Sequence, residues 1–88
     1  MPYIKKEERG KWDSILAELK VMLDKIDPTK IDGELNYLIT NILKIAYKPS
    51  YYNYNKAMGL LECIKQEFYR RDVAPYEDVK IKENGDLK

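Results

Sequence analysis

The chain has 88 residues, 44% of them hydrophobic, and a net charge of +1. That length makes one domain, and so balanced a charge announces neither a nucleic-acid nor a membrane partner by itself. The absence of histidine and the single cysteine remove the usual general base near pH 7, an internal disulfide and the common zinc sites.

The first eleven residues form a polar lead. MPYIKKEERG lacks the apolar stretch of a signal peptide, and no run of 18 apolar residues exists to span a membrane. Tyr3 and Ile4 are expected to dock onto the body, and residues 5–9 to form a short helical turn that Gly10 ends. Asp13 has the chemistry of an N-cap. Ile15, Leu16, Leu19, Met22, Leu23 and Ile26 then recur at steps of three and four, which predicts a helix over 14–25 with Trp12 stapling its entry.

Asp27-Pro28-Thr29-Lys30 is a turn. Ile31 is expected just outside the next helix, with Asp32 as its N-cap and Glu34 near its positive end. Leu35, Leu38, Ile39, Ile42, Leu43 and Ala46 mark one face of a helix over 33–47, which Pro49 stops.

The longest helical pattern follows, over 51–72. Ser50 is its expected N-cap. Tyr54, Ala57, Met58, Leu61, Ile64, Lys65 and Phe68 share one face, and Glu67 and Arg71 are spaced for a favourable i, i+4 pair. Gly59 costs about 1 kcal/mol relative to alanine inside a helix. With Cys63 it makes a strip of small residues, which points to another helix crossing closely there and to a core or half-buried structural thiol.

Beyond Arg71 the pattern weakens. Pro75 either kinks the helix or opens a short final one over 75–83. Val79 and Ile81 alternate as in a strand, but nothing else in the chain is suited to pair with them. Asn84-Gly85-Asp86 ends the pattern in a turn. The predicted fold is therefore all-α: a small bundle of three helices with a kinked or short helical C-terminal extension.

The acids do not assemble a catalytic site. Carboxylate-bundle metal centres need acids three or four residues apart on inward faces of two helices. Glu62 and Glu67 are five apart, Glu34 has no acidic neighbour on its face, and Glu7 and Glu8 are adjacent. The acidic signature of the all-α nucleotide pyrophosphohydrolases is missing. Cys63 has no histidine to activate it, and the four scattered glycines make no phosphate loop. The sequence thus predicts no catalytic residue, no metal and no cofactor.

The tyrosines stand out more. There are eight, and five fall between Tyr37 and Tyr54. From Leu35 to Leu61 the chain carries Lys44, Lys48 and Lys56 and no acid. Tyr47, Tyr51, Tyr52 and Tyr54 alternate with Asn41, Asn53 and Asn55. Aromatics of this kind anchor protein interfaces, and with lysines and amides they also stack on bases and contact phosphates. The plain alternative is packing at a helix junction. Residues 72–86 hold five acids and two lysines, a net of −3 that complements the basic stretch within the chain or in a neighbour. Arg70 and Arg71 lie between the two regions.

The pieces ELNYLIT, Pro49-Ser50-Tyr51, LECIKQEFYRR and APYEDVKIKENGD resemble a small family of uncharacterised prokaryotic and phage-associated proteins. The resemblance spans most of the chain. It implies a compact helical domain in a microbial or phage cytoplasmic setting, with the APYED tail part of the domain, and it brings no activity or cofactor. The functional expectation is a non-catalytic, cytoplasmic interaction or accessory module. It would bind a protein partner or a second copy of itself through Tyr47, Lys48, Tyr51, Tyr52, Asn55, Arg70 and Arg71. The alternative is a nucleic-acid-binding accessory protein using the same tyrosine-rich junction.

Overall fold

The computed structural model describes residues 3–87; Met1, Pro2 and Lys88 lie outside it. Every regular element among the described residues is helical. These are α1 (Asp13–Asp24), α2 (Ile31–Ala46), α3 (Tyr51–Phe68) and α4 (Ala74–Asn84). Short 3-10 turns occupy Lys6–Glu8, Gly10–Trp12 and Pro28–Lys30, and a π-helical turn occupies Tyr69–Val73. The described chain divides into two compact units, residues 3–49 and residues 50–87.

In the first unit, 3-10 turns feed directly into both helices. This changes the capping expected from sequence. Asp13 already has helical dihedrals and belongs to the first turn of α1, where its charge suits the helix dipole. Trp12 holds the cap position without a side-chain bond. Asp32 is likewise inside α2, which begins at Ile31. The residue that caps is Asp27. Its Oδ1 accepts from the Thr29 N–H and the Thr29 hydroxyl, both at 2.9 Å. Those bonds hold the Asp27 carboxyl below the usual carboxylate range, the backbone bond contributing most.

Burial in this unit gathers around the turn. Leu19, Leu23 and Ile26 before it, and Ile31, Leu35 and Leu38 after it, are half-buried. Further along α2, Leu43 is also half-buried, while Ile15, Leu16 and Met22 on α1 and Ile39, Ile42 and Ala46 on α2, all expected to fill a core, are exposed.

The second unit is one helical run with a changed pitch in the middle. Ser50 caps it as expected; its backbone is extended and its Oγ accepts from the Asn53 N–H at 3.0 Å. Pro75 neither ends nor breaks the run. Proline removes one N–H and crowds the carbonyl four residues back. A π turn, with its i to i+5 pattern, relieves that crowding before Pro75 enters the first turn of α4. Val79 and Ile81 are helical, not strand. Gly85 ends α4 with φ at +87°, a conformation glycine adopts freely, and its N–H bonds the Ile81 carbonyl at 2.8 Å.

On α3, Ala57 is the one buried residue among those described, at 8% exposure, and Leu61 is half-buried. Tyr54, Met58, Ile64 and Phe68 are exposed. The close crossing expected at Gly59 is not present: a Cβ built there meets nothing within 4 Å. Cys63 is exposed rather than in the core or half-buried. It lies nine residues from Tyr54, or about 180° around a 3.6-residue helix, away from the Ala57 and Leu61 face.

Candidate contact site

Of the residues singled out from sequence, those in the second unit fall at two places: Tyr51, Tyr52 and Asn55 at the start of α3, and Arg70 and Arg71 in the π turn beyond its end. Tyr47 and Lys48 belong to the first unit, the other five to the second. Tyr47 follows α2 in an extended conformation, with its N–H on the Leu43 carbonyl at 2.9 Å, and its side chain is half-buried. Lys48 is exposed. Upstream on α2, Asn41 Nδ2 donates to the Tyr37 carbonyl at 2.8 Å, and the Tyr37 ring faces outward.

The start of α3 is the most aromatic surface of the second unit. Tyr51 is 85% exposed and Tyr52 71%. The Ser50 cap fixes the turn that carries both. Asn55 is exposed one turn beyond Tyr51, on the same side. Lys56 Nζ sits 5.4 Å from the centre of the Tyr52 ring, a cation–π contact. This cluster offers phenol hydroxyls, an amide and an ammonium to a partner.

Arg70 and Arg71 lie elsewhere. From Tyr52 to Arg70 the helix rises about 27 Å at 1.5 Å per residue. Both arginines turn back onto Glu67, the i, i+4 pair foreseen from sequence together with an i, i+3 pair. Arg70 donates from Nη2 and Nε to the two Glu67 oxygens at 2.6 and 3.3 Å, and Arg71 Nε donates to Oε1 at 2.6 Å. The Glu67 side chain is only 17% exposed. Its hydrogen bonds to Arg71 and then Arg70 hold its carboxyl below the usual range. One carboxylate thus meets two guanidiniums, and both remain more than half exposed.

A neighbouring contact was not foreseen. Tyr69 donates its hydroxyl to Glu77 Oε1 at 2.9 Å across the π turn, and the bond raises the phenol's pKa. Eight residues of α-helix leave two side chains about 80° apart, so their spacing carries no signal of the pairing. Only the slower rotation of the π turn brings them into line.

Among the described residues, no three His, Cys, Asp or Glu side chains converge as metal ligands would. A shallow depression on α1, lined by Ala17, Glu18, Val21 and Met22, comes from a single helix and gathers no set of polar groups. No helix among the described residues is long and apolar enough to cross a membrane.

A family model, described as a domain of unknown function, matches residues 1–87. No curated protein and no solved structure matches the chain.

Proposed function

We propose a non-catalytic interaction role for this chain, which belongs to the DUF6899 family: a small helical accessory module whose contact surface is the tyrosine-bearing start of α3. One observation carries the reading. Tyr51 and Tyr52 stand side by side in the open on a capped, ordered turn. Large aromatics held in place and exposed are the usual anchors of protein interfaces, because they supply contact area at small entropic cost. The Arg70 and Arg71 end is a second, separate contact point. Its guanidiniums are already oriented by Glu67, which lowers the cost of fixing them on binding. The resemblance to phage-associated and prokaryotic proteins fits an accessory role in a cytoplasm.

Lys56 over the Tyr52 ring favours a second reading, the binding of nucleic acid through base stacking and phosphate contact. Salt separates the two. Phosphate binding weakens steeply and linearly on a log–log plot, whereas an aromatic-centred protein contact changes little. The test is a pulldown from native lysate, with and without nuclease, comparing wild type with Tyr51→Ala/Tyr52→Ala. Loss of bound protein in the variant, insensitive to nuclease, is the expected result. A partner list unchanged by the substitutions rejects the surface.

A further inference from the structure

We infer that the partner at the start of α3 is a different protein that presents an acidic segment, its carboxylates meeting Lys56 and the hydroxyls of Tyr51 and Tyr52 while its apolar side chains lie against the two rings. The inference rests on the interaction reading above and states the chemistry of the partner.

Placement comes first. At about 100° per residue, Tyr51, Asn55, Tyr52 and Lys56 fall within one arc of about 140°, and the middle of that arc lies about 170° from Ala57. All four are exposed. The covered strip of α3, with Ala57 buried and Leu61 half-buried, is therefore on the far side of the helix.

The chemistry of this face has one sign. Its phenol, amide and ammonium groups all donate hydrogen bonds, and its one charge is positive. No acid lies between Leu35 and Leu61. The next acid, Glu62, is taken by Lys65 and Gln66, each at 3.2 Å. Lys56 makes no ion pair among the described residues; its Nζ rests 5.4 Å from the centre of the Tyr52 ring, which fixes where the charge stands without neutralising it. The acidic end of the same unit is out of range. Residues 72–86 hold five acids against two lysines, but Asp72, the first of them, lies 20 residues beyond Tyr52, about 30 Å along the helical run.

The number of cations decides between carboxylate and phosphate. Affinity for a nucleic-acid strand grows with each phosphate that a lysine or arginine neutralises, and this face has one lysine. A protein segment asks less charge of it. One or two carboxylates satisfy the ammonium and the phenols, and the rings supply the rest of the contact as apolar area.

Peptide display with the full chain as bait tests this. Short random peptides are selected on wild type and on Tyr51→Ala/Tyr52→Ala. Wild type is expected to enrich sequences in which aspartate or glutamate neighbours an apolar or aromatic residue, and the double variant to lose them. For a selected peptide, fluorescence anisotropy is expected to show binding to Lys56→Glu at least about tenfold weaker than to wild type, because like charges then face each other. Circular dichroism confirms that each variant keeps its helix content; if Lys56→Glu loses helix, Lys56→Gln carries the comparison. Enrichment of basic or uncharged peptides, or none above a bait-free control, overturns the inference. So does a selected peptide whose affinity Lys56→Glu leaves unchanged, a single-stranded oligonucleotide that binds wild type and not Lys56→Glu, or a wild-type dimer that Lys56→Glu dissociates. A lysate protein whose capture needs Tyr51 and Tyr52 but is indifferent to Lys56→Glu retains the interaction reading and discards the acidic partner.

Discussion

At the scale of single residues, the second unit is governed by a few local contacts with calculable consequences. Gly59 has open space where a side chain would go. Gly59→Ala therefore gains helix propensity without a clash and stabilises by about 1 kcal/mol. Ser50→Ala has the opposite sign. It removes the hydroxyl that accepts from Asn53 and costs about 0.5–2 kcal/mol. Thermal melts followed by circular dichroism read both. A Gly59→Ala melting temperature no higher than wild type, or a Ser50→Ala one no lower, contradicts the structure at that position. Glu67 gives a pH signature. Its folded-state pKa is depressed by the bonds from Arg71 and Arg70. Its contribution is therefore fully present above the unfolded carboxyl value of about 4.3 and disappears as pH falls through the lower, folded value. Melting temperature is expected to fall on acidification below about pH 4, and Glu67→Gln to flatten that fall. A variant as acid-sensitive as wild type shows that other carboxylates dominate.

At the scale of elements, the π turn matters most. Proline 75 sets the pitch of the five residues before it, and that pitch aligns Tyr69 with Glu77. Pro75→Ala permits an ordinary α-helix through the junction, which separates the two side chains by about 80°. The phenol then loses the acceptor that raises its pKa. A spectrophotometric titration is expected to show one tyrosine moving back towards the usual phenol value of about 10 in Pro75→Ala. Tyr69→Phe removes that same titration and so identifies it. No change in the titration would mean that the π turn does not depend on the proline. The helices themselves were legible in the sequence. Apolar spacing located all three main helices, and Ser50 was recognisable as a cap because an extended residue with a short hydroxyl after proline suits nothing else so well. Asp13 and Asp32 were misjudged for a definite reason. An N-cap is recognised by residue type, but whether a residue caps depends on the turn before it, and in both cases a 3-10 turn had already made the backbone helical.

At the scale of the whole molecule, most large apolar side chains among the described residues stay exposed, so a partner that covers them stabilises the fold by mass action. If two copies pair, folding is linked to association, and the melting temperature rises with chain concentration. A melting temperature independent of concentration in wild type argues against self-association. By itself the sequence determined the all-α class, the helix positions, the Glu67–Arg71 pair and the tyrosine-rich start of α3. Each of these follows from neighbours within one or two turns, so local spacing encodes it. The tertiary structure decided which apolar residues are covered, that Cys63 and Gly59 face open space, that Arg70 and Arg71 stand about 27 Å from Tyr52, and that Tyr69 finds Glu77. Coverage depends on contacts between segments distant in the chain, and alignment across a helix depends on its accumulated rotation. Neither quantity is written in the order of side chains alone.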